Sequence, residues 1–309
     1  KATSGTTRAP WARAVATVRG GVMTTQHPVL LSWVAVNNDP YERNTKTGEF
    51  IREDGERIPG PTLSLLFVEN QWIRPRPQGD PAKALRLVHW NIGEVKGGWQ
   101  EVLRVVKPFA ADAYVLSETF GAEDCLRLAT ALGDDYQVYQ ARQITVIARG
   151  RLTMKKPDER MPTRVYPIEW QSQMGPVRLL AVDLPSRPYY SRNPWLQQVN
   201  ERIRALAPDL VLGDFNARRR AWWLAHLPEG YSHAYYRAGA GWSATWPDNF
   251  PLWDIDQCIL GPGVLPIRYD IVTTGASDHR LQVFDFSLAD SRPRAPDESD
   301  EKEEEIPND

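Results

Sequence analysis

Asp209-Leu210-Val211-Leu212-Gly213-Asp214-Phe215-Asn216 is the stretch that decides how this chain is read. Leu210–Leu212 is apolar and β-prone, so it reads as a buried strand. Gly213 lets the backbone turn sharply at the strand end. Asp214 and Asn216 are two residues apart, so in extended geometry they point to one face. One carboxylate and one amide on one side can activate a water and hold a phosphate oxygen. Taken alone, the same residues also suit an ordinary Asx-rich turn.

Four other segments place similar chemistry at strand ends: His89-Trp90-Asn91, Ser117-Glu118-Thr119, Asp254-Ile255-Asp256 and Ser277-Asp278-His279. Glu118 follows Tyr-Val-Leu-Ser and should emerge where a central strand ends, an edge that often carries catalytic groups. An amide oxygen from Asn91 and a carboxylate from Glu118 suit Mg²⁺, which takes oxygen ligands and keeps several waters. Asp278 and His279 form a pair in which a carboxylate can orient and charge an imidazole. Asp254 and Asp256 alternate across Ile255 and are expected on one side of a strand starting at Trp253, one of them as partner to a histidine or a metal. Each piece alone has a plainer reading as a turn or a solvated strand end.

The 309 residues are 42% hydrophobic, long enough for a large core without disulfides. Cys125 and Cys258 have no metal-type spacing, which points to a reducing compartment and a cytoplasmic location. No apolar run approaches a membrane helix. The formal net charge is −2, but residues 297–309 carry −7 and the rest +5. The body is mildly basic, which is compatible with an anionic substrate. Residues 289–309 read as an acidic disordered tail, and residues 1–22, Ala-, Thr-, Arg- and Gly-rich without acids, as a disordered N-terminal segment. Residues 23–83 read as a small extension and linker, with an apolar strand at 28–36, a turn-rich stretch at 41–61, an apolar run at 63–68 and a linker at 74–81.

From residue 84 the pattern is orderly. Strands are predicted at 85–90, 113–116, 136–140, 143–148, 210–212, 253–260, 267–273 and 281–286. Residues 164–170 and 177–184 read as a hairpin. Helices are predicted at 99–106, 122–132, 196–206 and 219–227. Strands alternate with helices, but consecutive strands also occur, which indicates a layered α/β sandwich of mixed sheets.

Trp90-Asn91, Glu118, Gly213-Asp214-Phe215-Asn216, Thr245-Trp246-Pro247, Ile255-Asp256 and Ser277-Asp278-His279, in that order over residues 84–288, resemble the endonuclease/exonuclease/phosphatase superfamily with the DNase I-like fold. The resemblance implies a four-layered α/β sandwich of two mixed sheets flanked by helices. It implies Mg²⁺- or Mn²⁺-dependent phosphoester hydrolysis, on nucleic acid or another phosphoester. Asn91 and Glu118 match metal-site positions, and Asp256 and Asp278 join them as candidate ligands. Asp214 matches the group that polarises the attacking water, and Asn216 the one that holds the water or the transition state. Asp278 and His279 match the terminal catalytic pair, with His279 on the scissile phosphate.

One position departs from that pattern. Where many members carry a histidine after the corresponding strand, this chain has Val182-Asp183-Leu184. An ionised aspartate supplies no positive charge and would repel a phosphate. Three readings follow: Asp183 is an extra metal ligand, or a nearby cation such as Arg142 or Arg187 binds the substrate in place of the missing histidine, or the site is weakened. Arg218-Arg219-Arg220 is the candidate phosphate clamp, with Arg218 nearest Asn216. Trp246 and neighbouring tryptophans are candidates for base stacking, or else line the core.

Overall fold

The structure, a computed structural model, describes residues 41–43, 49–52, 57–59, 70–71, 73–93, 95–154, 164–186 and 191–290. The expected segment 1–22, the strand at 28–36, the apolar run at 63–68, Arg187 and the tail from 291 lie outside the described residues.

The stretch expected to be turn-rich contains a small antiparallel sheet of β1 (Tyr41–Arg43), β2 (Glu49–Arg52) and β3 (Arg57–Pro59). β4 (Asn70–Gln71) follows. The segment expected to be a linker is tied down: Gln78 N–H donates to Pro266 O at 2.8 Å, and Asp80 N–H to Ser287 Oγ at 3.1 Å. Arg74 donates to Ala238 O at 2.6 Å and to Tyr269 O at 2.8 Å. Its prolines and charges suggested a linker, but its polar groups hydrogen-bond to carbonyls and a hydroxyl of the body.

The body is built in the order β5 (Leu85–Asn91), α1 (Gly98–Val106), β6 (Ala113–Ser117), α2 (Ala122–Leu132), β7 (Tyr136–Ala141), β8 (Ile144–Arg149), β9 (Arg151–Met154), β10 (Val165–Ser172) and β11 (Gly175–Asp183). It continues with α3 (Asn193–Leu206), β12 (Leu210–Asp214), α4 (Trp222–Ala225), β13 (Ser232–His233), α5 (Ala234–Ala238), β14 (Gly241–Trp242), β15 (Asp256–Leu260), β16 (Val264–Val272) and β17 (Leu281–Leu288). One six-stranded sheet has the order β16-β17-β5-β6-β8-β7, the other β13-β15-β12-β11-β10-β9. Both are mixed: β5–β6 and β11–β12 are parallel, and their neighbours antiparallel.

Alternation along the strands sorts the apolar side chains into layers. Leu85, Leu87, Val115 and Val146 of one sheet meet Leu179, Leu212 and Cys258 of the other in the central core, with Trp170 between. The opposite face of the first sheet, through Val88, Trp90 and Leu116, packs on α1 and α2. The outer face of the second sheet, through Leu180, Val182 and Val211, packs on α3 and α4. The result is the expected four-layered α/β sandwich of two mixed sheets flanked by helices.

Two elements differ from expectation. The helix expected at 219–227 is only Trp222–Ala225, because Arg218 and Arg219 are drawn inward to Asp254 and residues 216–220 form turns instead. The strand expected from Trp253 starts at Asp256. Trp246 pairs with Trp253 in a short hairpin before it.

Candidate active site

Strand register builds the site. Val182↔Gly213 and Asp183↔Asp214 are partners across β11 and β12, and Asp214↔Asp256 across β12 and β15. Asp183, Asp214 and Asp256 therefore stand on one rung of the second sheet. In the other sheet Asn91↔Ser117 closes the parallel pair β5–β6, and Glu118 follows it. Gly213 has φ +147°, and a Cβ there would collide with the carbonyl oxygen of Val182. Only glycine lets β12 lie this close to β11.

Asp214 Oδ2 is the hub. Asn91 Nδ2 donates to it at 3.0 Å and Asn216 Nδ2 at 3.1 Å. His279 Nε2 lies 3.9 Å away. Asn216 reaches Asp214 from a left-handed turn at φ +47°, not from extended backbone. Asn216 N–H donates to Asp214 Oδ1 at 2.8 Å, closing the turn. Burial and the neighbouring Asp256 charge push the Asp214 carboxyl well above the usual range, making it a stronger base than a surface aspartate.

His279 Nδ1 lies 2.9 Å from Asp256 Oδ2. Burial opposes a charge on the imidazole, but Asp256, through charge and this hydrogen bond, outweighs it and raises the pKa. His279 is thus a cation at neutral pH, facing Asp214. The histidine partner is Asp256 and not its sequence neighbour Asp278. Asp278 instead accepts from Trp246 Nε1 at 2.8 Å. The backbone separates adjacent side chains, so the orienting acid comes from the other sheet. Asp254 does not share the face of Asp256, because it precedes the strand. It pairs with Arg219 at 3.3 Å and Arg218 at 3.7 Å.

Two segments are locked around this centre. Ser277 Oγ donates to Asn91 O at 2.8 Å and lies 3.1 Å from Gly93 O. Trp90 Nε1 donates to His279 O at 2.9 Å. Thr245 Oγ1 accepts from Asp256 N–H at 3.1 Å. Ser277, Trp90 and Thr245 lay inside the quoted motifs but carried no role of their own in the sequence reading.

Asp183 is buried, and Arg164 Nη1 lies 3.5 Å from its Oδ2. Arg142 and Arg187 were expected to stand in for the missing histidine toward the substrate. Arg142 is exposed at the β7–β8 turn, whose Gln143 O accepts from Thr119 N–H at 3.2 Å beside Glu118. Arg164 could have been found by counting the β10–β11 register outward from Val165↔Val182. Arg218, expected as an exposed clamp, is buried in the pair with Asp254. Arg192, just before α3, is also buried, which lowers its pKa to about 10 against the opposing pull of Asp214.

The donor set fits a hard divalent cation. Glu118 Oε1 and Asp214 Oδ2 lie 3.1 and 3.0 Å from the same Asn91 nitrogen, so two carboxylate oxygens converge beside one amide. Oxygen donors of this kind suit Mg²⁺ or Mn²⁺. Asp214, Asp256 and His279 also bring donor atoms within 4.8 Å of one another. Among the described residues no helix is long and apolar enough to cross a membrane.

The model of the Endonuclease/Exonuclease/phosphatase family matches residues 72–279, about two thirds of the chain. A search of curated proteins finds no match. Among solved structures, TDP2 from C. elegans is 19% identical with a TM-score of 0.51, covering 67% of this chain and 76% of that one. An endonuclease/exonuclease/phosphatase family protein from Bacteroides thetaiotaomicron is 15% identical with a TM-score of 0.52, covering 67% and 98%. D. rerio TDP2 complexed with single strand DNA product is 15% identical with a TM-score of 0.50, covering 66% and 99%. These likenesses establish a shared DNase I-like fold.

Proposed function

Because the chain belongs to the endonuclease/exonuclease/phosphatase family, we propose that it is a divalent-cation-dependent phosphodiesterase acting on nucleic acid. The observation that carries this reading is the placement of Asp214 Oδ2 between Asn91, Asn216 and His279. A basic carboxylate, two amides and an imidazolium meet at one point, as in-line attack on a phosphodiester requires. Nucleic acid is favoured over a small phosphoester by the neighbour bound to single strand DNA product and by the mildly basic body.

In this reading Asp214 takes the proton of the attacking water, Asn216 fixes that water against the phosphorus, the P–O bond opposite the attack breaks, and the departing alkoxide takes a proton from solvent. His279, held charged by Asp256, donates to a non-bridging phosphoryl oxygen as negative charge builds there. Asn91 and Glu118 would hold Mg²⁺ or Mn²⁺, which supplies Lewis-acid stabilisation of the phosphoryl group when bound. Asp183 does not repel the substrate in this scheme, because Arg164 balances its charge.

The test is a panel of single- and double-stranded DNA, RNA and inositol phosphates with Mg²⁺, Mn²⁺ or EDTA. Cleavage of a nucleic acid that is lost in EDTA and in Asp214→Asn is the expected result. Preferential release of phosphate from the small esters would replace nucleic acid as the substrate. Activity that persists in both EDTA and Asp214→Asn would overturn the mechanism.

A further inference from the structure

His89 has no part in the chemistry above, yet it is buried at the heart of the sandwich. On β5 it continues the inward stripe of Leu85 and Leu87 toward Asn91. Its register partner on β17 is Gln282, which shares the inward face of Phe284 and Phe286. From the other sheet Asp256 opens the inward stripe that Cys258 and Leu260 continue. Three polar side chains thus enter the space between the sheets at the end that carries the site.

Each has one satisfied atom and one unsatisfied atom. His89 Nε2 lies 3.3 Å from Ser117 Oγ. Gln282 Oε1 accepts from Tyr269 Oη at 2.8 Å. Asp256 Oδ2 meets His279. The remaining atoms, His89 Nδ1, Gln282 Nε2 and Asp256 Oδ1, are buried and have no hydrogen-bond partner among the described residues. Leaving such an atom unpaired is unfavourable, because its lost hydration is not replaced. Three of them on facing strands, two able to donate and one acceptor, match the valence of a single water. A water accepts two hydrogen bonds and donates to a carboxylate, and buried waters characteristically have two to four polar partners.

We propose that His89 and Gln282 are positioning residues that hold Asp256 through one shared buried water, fixing its carboxylate toward His279. In that arrangement His89 carries its proton on Nδ1 and accepts from Ser117 Oγ at Nε2. The polar column runs from Tyr269 and Ser117 up to the imidazolium of His279. It stiffens the pair that faces the substrate without touching the substrate.

The kinetic arm of the test rests on the phosphodiesterase reading, and a spectroscopic arm does not. In histidine-labelled full-length protein, the His279 Nδ1–H resonance reports the hydrogen bond to Asp256. His89→Leu and Gln282→Leu are each expected to move or broaden it, and His89→Gln to restore it. On the best substrate of the panel, His89→Leu is expected to lower kcat about tenfold with KM nearly unchanged. In an Asp256→Asn background the same change is expected to cost nothing further. An unmoved resonance in folded Gln282→Leu and His89→Leu proteins, or an equal kcat loss in both backgrounds, overturns the proposal. A wild-type chain that cleaves no ester would count against the activity, while the resonance would still decide the role of His89.

Discussion

Arg164 Nη1 stands 3.5 Å from Asp183 Oδ2, one residue before β10, the strand antiparallel to β11. Asp183 N–H also donates to Arg164 O at 2.9 Å, so backbone and side chains are joined at the same rung. The arginine is partly exposed while the aspartate is buried, and the pair does not repay the burial in full. Burial raises the Asp183 pKa from 3.8 to about 6, with Arg164 opposing it.

The sign of the resulting pH dependence follows directly. A carboxyl whose folded pKa exceeds its unfolded value contributes stability that is complete below pH 3.8 and lost as pH rises through about 6. At pH 7 the ionised Asp183 is therefore a net cost. Asp183→Asn is expected to stabilise the cation-free protein at pH 7 by on the order of 2 kcal/mol. Urea unfolding in EDTA at pH 7 and pH 5 measures it, and the gain should shrink at the lower pH. A gain that is equal at both values would show that the ionisation is not its source.

Gly213 gives a backbone prediction. Its φ of +147° and the collision of any Cβ with Val182 O leave no room for a side chain. Gly213→Ala should cost about 3 kcal/mol, read as a lower urea midpoint. Gly121→Ala is the control, since a Cβ there meets nothing within 4 Å. Equal losses at the two glycines would refute the close-approach argument.

Much of this was legible in the sequence, for identifiable reasons. The strand ends at Asn91, Glu118 and Asp214 announce themselves because an apolar run stops at a polar residue. The β10–β11 hairpin follows from its two β-prone runs. What the sequence hid was pairing across the sandwich. Nothing local says that His279 takes its carboxylate from Asp256 rather than Asp278, because that contact joins the two sheets. The Arg218–Asp254 pair was hidden because it joins two loops distant in sequence, so two arginines of the candidate clamp, Arg218 and Arg219, are buried while Arg220 is exposed.

Arg218 accordingly makes a different prediction from that of a phosphate clamp. Asp254 would keep Arg219 at 3.3 Å, so removing Arg218 costs the packing of a fully buried side chain and one of the ion-pair partners of Asp254, on the order of 2–3 kcal/mol. Arg218→Ala should lower the unfolding midpoint strongly, while the protein that remains folded keeps a KM within about twofold of wild type. Arg142→Ala, on the exposed turn beside Glu118, should leave the midpoint within about 0.5 kcal/mol of wild type. A large rise in KM for Arg218→Ala with normal stability would restore the clamp.

Asp256→Asn tests the relationship at the centre of the site. With the carboxylate gone, burial of His279 is opposed only by Asp214 and Asp278, and its pKa falls from the raised value toward 6.5. The imidazolium needed opposite the phosphoryl oxygen is then scarce at pH 7.5, and kcat should fall about 10²- to 10³-fold. Acidification recharges His279 but also protonates Asp214, whose own pKa is raised, so the recovery is read from the His279 ring and not from kcat. Stability carries the same signature. The raised histidine contributes stability that is complete below 6.5 and lost as pH climbs to about 10. The stability gap between wild type and Asp256→Asn should therefore be widest near pH 6 and narrow toward pH 10. Direct titration of the His279 ring by NMR in both proteins links the two effects. An unchanged ring pKa in the variant would mean that another group charges His279.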